Sequence, residues 1–252
     1  MPRSARKKGE SGIYHITMRG INRQQIFIDD EDAERFLQVV RATQTISGFT
    51  LYAYCLMGNH VHLVLKEGDE PLEKIMKRIG VRYVYWYNWK YMRSGHLFQD
   101  RFGSEPVDDD GYFLTVIKYV HRNPVKAGVC ERCEDYAFSS AREYLGMCKS
   151  SLVQTELFGG IMEGNDIRAF FNTPSDEKCI DVSETHRMND TEARAVMKRI
   201  CRCDQPGAFQ KLPIDKQAKA IERMREQLSI RQISRITGVS TEIVRKYKVK
   251  ET

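Results

Sequence analysis

The chain has 252 residues and a mass of 29.3 kDa, with 41% hydrophobic and 29% charged side chains, which excludes a disordered polymer and suits one large domain or two smaller ones. No uninterrupted apolar run reaches ten residues, which excludes a membrane-spanning helix, and Glu10, Ser11 and Gly12 stand where a secretory signal needs its apolar core, so a cytoplasmic protein with no membrane partner is expected. The formal charge of +6 is concentrated: residues 210–252 hold 11 basic and 5 acidic side chains, the other 209 residues hold 29 of each sign, and a polyanionic partner is expected at the C-terminal end.

Residues 13–20 alternate in the manner of a strand ending at Gly20. Ala33, Phe36, Leu37, Val39, Val40 and Ile46 have helical spacing over residues 32–46, and Gly48 closes that helix. Residues 49–57 form an aromatic-rich strand, Gly58-Asn59 a turn, and residues 60–66 the returning strand of a hairpin. A long helix follows Pro71 to about Tyr91, and an extended segment runs from Gly95 to Val107. Asp108, Asp109 and Asp110 suit the positive end of a further helix, which Pro124 is expected to stop near Asn123. The order strand, helix, strand, strand, helix, strand, helix predicts an α+β fold: a ferredoxin-like split βαβ antiparallel sheet with helices on one face. Residues 147–205 read as a partly helical connection, with helix beginning near Thr191, and residues 206–252 as a separate all-α module.

Three constellations carry chemistry. His60 and His62 are two apart on a strand, so both imidazoles share one face; that is half of a metal site or a cross-strand pair without metal. Tyr119 and Asn123 are four apart on a helix, which makes phenol and amide neighbours. Lys74, Lys77, Arg78, Arg82, Lys90, Arg93 and Arg101 are interleaved with Tyr83, Tyr85, Trp86, Tyr87, Trp89 and Tyr91, including both tryptophans of the chain. Cations that track phosphates and rings that stack bases hold single-stranded nucleic acid, although half of these rings must also face a core. His15, His96, His121 and His186 show no paired geometry, and His121 is expected at the surface.

With His60-Val61-His62 behind Gly58-Asn59, residues 93–102 (RSGHLFQDRF), residues 119–128 (YVHRNPVKAG) and residues 138–146 (FSSAREYLG), the chain resembles the single-tyrosine HUH transposases, in their REP-associated tyrosine transposase branch. The resemblance spans residues 13–146 and implies a catalytic domain over residues 1–146. It implies a metal-dependent enzyme that cleaves and rejoins single-stranded, hairpin-bearing DNA. Tyr119 would be the nucleophile of a covalent 5′-phosphotyrosine intermediate. His60, His62 and Asn123 would hold a divalent metal, Mg2+ or Mn2+. Two imidazoles and an amide are softer than magnesium prefers, so manganese is the easier fit.

The basic tail (residues 228–247) reads as two short helices around Gly238, resembling a helix-turn-helix. Ile233 and Ile236 would face inward, Val239 fill the turn, Val244 and Tyr247 close the second helix and Ser240 cap it. Thr241, Arg245, Lys246 and Lys248 would then be available to duplex DNA. Seven cysteines without regular spacing read as free thiols, the less favoured alternative being zinc at Cys130/Cys133 or Cys201/Cys203. A monomer or a homodimer is expected, and the rival function is a DNA-binding regulator without catalysis.

Overall fold

The first strand shows how the sheet is covered. In β1 (Ile13–Arg19), Tyr14, Ile16 and Met18 enter one apolar cluster, while Ile13 enters another and shares its alternate face with His15 and Thr17. The structure is a computed structural model that describes residues 8–148, 152–174, 179, 190–225 and 228–246. The chain divides into two compact units, residues 1–182 and 183–252.

In the first unit β1 is followed by α1 (Asp30–Ser47), β2 (Thr50–Met57), β3 (His60–Lys66), α2 (Leu72–Lys90), β4 (Gly103–Pro106) and α3 (Asp110–Lys126). The four strands are ordered β2-β3-β1-β4, every neighbouring pair antiparallel. Asp29 and Asp32 form a reciprocal capping box that starts α1, and Gly48, at φ 64°, ends it in the left-handed region that favours glycine. Gly103 is required for another reason: a Cβ there would lie 2.6 Å from Thr17 Oγ1, so β4 could not approach β1 with a larger residue. The extended segment of residues 95–107 contributes only these four residues to the sheet, because β4 pairs along Tyr14–Thr17 alone.

Helices cover both faces of this sheet, not one. Phe36 and Val40 of α1 and Ile75, Ile79 and Tyr83 of α2 pack with Tyr14, Ile16, Leu63 and Leu65. Phe113, Val116, Ile117 and Val120 of α3 pack on the opposite face, with Ala53, Cys55 and Val64. The physical reason is visible in β2, where Leu51 to Met57 are all buried: a strand apolar on both sides needs two covers. Nor does Pro124 stop α3, which runs on to Lys126. Proline deletes only its own N–H, and the Ala127 N–H still donates to Asn123 O at 3.0 Å.

Residues 147–205 divide between the two units instead of forming a separate connection. After α4 (Ala141–Tyr144), α5 (Glu156–Ile161) and α6 (Ile167–Asn172) bury Phe158 and Phe171 in the α3 side of the first unit. In the second unit α7 (Asp190–Cys201) joins α8 (Pro206–Gln210), α9 (Ile214–Met224), α10 (Ile230–Thr237) and α11 (Thr241–Lys246) around Met197, Phe209, Ile221, Ile233, Ile236 and Val244. Ser229 and Gln232 cap α10 reciprocally, and Gly238 ends it at φ 70°. The Ser240 hydroxyl accepts from Ile243 N at 3.4 Å at the start of α11. Tyr247 and Lys248 lie outside the described residues, as does His186. No described helix is long and apolar enough to cross a membrane.

Candidate active site and nucleic-acid interface

The hairpin turn places His60 and His62 on the sheet face that α3 covers. Their rings are edge-to-face with centroids 5.0 Å apart. His60 Nδ1 donates to Asn59 Oδ1 at 2.6 Å, which puts the imidazole lone pair on Nε2. His62 is fully buried, and burial, reinforced by His15 and His60, pushes its pKa well below 6.5, so it is a neutral imidazole at neutral pH. A third histidine completes the layer. His15 on β1 stacks on His62 with centroids 5.3 Å apart, and its Nε2 shares a 3.1 Å hydrogen bond with His62 Nδ1. The alternation that puts Thr17 opposite His62 also puts His15 on this face, so the signal lay in the strand pattern once β1 and β3 are paired.

α3 presents Tyr119 to this layer, its ring edge-on to His62 at 5.5 Å and to His15 at 5.7 Å. The Asn123 amide Nδ2 donates to Tyr119 O at 2.9 Å, leaving Oδ1 as the acceptor end of the group. The Lys126 ammonium lies 4.8 Å from the Tyr119 ring centroid. Sequence reasoning missed Lys126 because Pro124 suggests a helix that stops at Asn123; with the helix intact it stands two turns beyond Tyr119, on the same side. His121 is not at the surface. It is fully buried on another side of α3, with Nε2 2.8 Å from Ser140 Oγ and its ring against Tyr144 and Phe171, and burial pushes its pKa down to about 3.

His62 Nε2 is buried and has no hydrogen-bond partner among the described residues. An imidazole lone pair kept neutral and unbonded in a polar layer fits a metal ligand. Among the described residues no group of three His, Cys, Asp or Glu is arranged to hold a metal ion, and a donor set of two imidazoles and one amide falls outside that composition.

The cations sort by partner. Lys74, Lys77, Arg82 and Arg101 are exposed. Arg78 is held by Glu70 and the Ser47 hydroxyl, and that guanidinium keeps the Glu70 carboxyl down at about 2. Arg93 donates to Gln24 Oε1 and His96 O and lies over the Tyr87 ring. Tyr83 and Tyr87 face the core, whereas Tyr85 and Trp89 are exposed. In the second unit Thr241 is half-buried, and Arg245 and Lys246 are exposed.

Residues 9–123 match the family model described as "Transposase IS200 like". Those residues are similar to IS200-like transposases. A Haemophilus influenzae protein described as a REP-associated tyrosine transposase is 27% identical over 143 residues, covering 52% of this chain and 80% of that one. The fold is similar to a solved REP-associated tyrosine transposase bound to a REP hairpin, with a TM-score of 0.51, 17% identity, and coverage of 61% of this chain and 98% of that one. The relatives of the IS200-like segment are thus tyrosine transposases, and His15, His60, His62, Tyr119 and Asn123 all lie within it.

Proposed function

We propose that this protein cleaves and rejoins single-stranded, hairpin-bearing DNA through a covalent 5′-phosphotyrosine at Tyr119. The observation that carries the reading is the placement of the Tyr119 ring edge-on to the buried His15 and to the buried, neutral His62, whose Nε2 has no hydrogen-bond partner among the described residues. The order β-α-β-β-α-β with strands arranged β2-β3-β1-β4 also suits a ferredoxin-like split βαβ domain of the HUH type.

In the forward step the Tyr119 Oη bonds to phosphorus and the bond from phosphorus to the 3′ oxygen breaks. The phenol proton passes to solvent and the departing oxygen takes one up as a 3′-hydroxyl. The reverse step, with any 3′-hydroxyl as nucleophile, rejoins the strand without an outside energy source, because the phosphodiester is exchanged for a phosphotyrosine. A phenol with a pKa near 10 is a poor nucleophile, and the Lys126 ammonium lies over the Tyr119 ring. His60, His62 and the Asn123 amide oxygen would hold Mg2+ or Mn2+. The bound ion would polarise a non-bridging phosphate oxygen. His15 orients His62 through the Nδ1 hydrogen bond, as a support behind a ligand does.

The second unit supplies a duplex-binding helix-turn-helix in this reading, with α11 in the major groove and Thr241, Arg245 and Lys246 at the DNA. Lys74, Lys77, Arg82 and Arg101 would track the single strand. The test is incubation with hairpin-bearing single-stranded DNA and Mn2+, followed by denaturing electrophoresis. A denaturant-stable protein–DNA adduct is expected, lost in excess chelator and in His60→Ala/His62→Ala. Full cleavage in excess chelator would remove the metal from the account.

A further inference from the structure

On the sheet face opposite Tyr119, α1 and α2 line an open groove of about 510 Å3, within the volume range of small-ligand sites. Its outer wall is a stripe of α2 at helical spacing: Val81, Tyr85 and Trp89 are 61%, 78% and 74% exposed. Surface helices rarely leave two large rings uncovered in line, since each forfeits the burial that aromatic side chains contribute elsewhere. Trp86, half-buried, also lines it. The charged groups lining the groove are Arg35 of α1 and Arg82 of α2, with no carboxylate among them. The Arg35 guanidinium carbon lies 5.9 Å from the Trp86 ring centroid, and Arg35 Nε is buried with no hydrogen-bond partner among the described residues.

We infer that this groove stacks the unpaired bases of single-stranded nucleic acid, as a second binding site on the side of the sheet away from the scissile phosphate. Rings standing one helical turn apart, with guanidinium groups beside them, offer π faces to bases and donors to phosphates or base acceptors. A duplex hides its base faces and has nothing to stack there. A second copy of the chain fits poorly. A two-fold contact sets a patch against itself, so Arg35 and Arg82 of both copies would meet with no carboxylate between them. The inference deepens the single-stranded DNA reading and rests on it for the identity of the ligand. It adds a site built from Arg35, Tyr85, Trp86 and Trp89, away from the catalytic face.

Both tryptophans of the chain, Trp86 and Trp89, line this groove, so intrinsic tryptophan fluorescence reports on it and not on the Tyr119 face. The full-length protein in chelator is titrated with an oligothymidylate of about twelve nucleotides, an abasic deoxyribose-phosphate strand of equal charge, and a blunt duplex. Saturable quenching by the oligothymidylate alone is expected, weakened about tenfold by Tyr85→Ala and also by Arg35→Gln. Tyr85 is exposed and Arg35 half-buried, and circular dichroism checks that the variants fold. Equal quenching by the abasic strand would overturn the stacking groove in favour of a phosphate patch. Self-association in sedimentation that Tyr85→Ala abolishes, with no response to DNA, would overturn it in favour of a second copy. A protein that forms the Tyr119 adduct while its fluorescence ignores DNA would overturn the groove alone. Quenching without any adduct would support the groove while the catalytic reading failed.

Discussion

Phe171→Ala tests the assignment of α5 and α6 to the body of the first unit. Phe171 is fully buried and packs on Phe158, Tyr144 and His121 at centroid distances of 5.7, 5.8 and 4.8 Å. Truncating such a ring forfeits its transfer free energy and leaves a cavity, together about 3–5 kcal/mol. The backbone carbonyl of Phe171, which accepts from Arg122 Nη1 at 3.0 Å, is untouched, so the loss belongs to the ring. With a urea m-value of about 2 kcal/mol/M, the midpoint should fall by about 1.5–2.5 M. Tryptophan fluorescence follows this unit specifically, because Trp86 and Trp89 are both on α2. The reasoning would be refuted by a shift below about 0.5 kcal/mol, the range of surface substitutions, which is what a free connecting segment would give.

His121 sets a pH dependence. Its imidazole is neutral in the folded state, with a pKa pushed down to about 3 from 6.5, so the unfolded chain binds the extra proton. Its contribution is intact above about pH 6.5 and declines as pH falls toward 3, by about 2 kcal/mol at pH 5. Urea unfolding at the two pH values should show that loss in the wild type and not in His121→Gln; equal losses would contradict it. His15→Phe keeps a ring against His62 but removes the bond to Nδ1, so Mn2+ affinity by calorimetry without DNA should drop about 10- to 100-fold. An unchanged affinity would reduce His15 to a packing role. Arg245→Gln with Lys246→Gln should flatten the salt dependence of duplex binding by about 0.9 for each phosphate no longer neutralised. An unaltered slope would make α10 and α11 a structural hairpin.

What could be read from the residues followed the strength of the local signal. The hairpin of β2 and β3, the caps of α1 and α3, and the pairing of His60 with His62 are short-range features with few alternatives. The errors came where tertiary packing outweighs a local preference. Pro124 breaks a helix in isolation, yet here it is buried within α3, which continues past it. His121 is polar by composition and buried by context, because α6 closes over its side of α3 and the Ser140 hydroxyl bonds its Nε2. Deleting the chain from Lys211 onward would not remove a self-contained tail: Ile233, Ile236 and Val244 share a core with Ala193, Val196 and Met197. No local pattern announces that α7 belongs with α10, since the two pack across segments about forty residues apart in a chain whose polar faces look alike. The same limit hid the groove between α1 and α2, whose two walls are distant in sequence.

Tyr119→Phe addresses the central claim. The substitution keeps the ring that packs against His15 and His62, so the variant should fold and bind hairpin DNA as the wild type does. It lacks the oxygen that would bond to phosphorus. With hairpin-bearing single-stranded DNA and Mn2+, the wild type should yield a denaturant-stable adduct whose peptide mass places the nucleotide on Tyr119, and Tyr119→Phe should yield none. An adduct formed by Tyr119→Phe at the wild-type rate, or a nucleotide found on Tyr112 or another residue, would contradict the account.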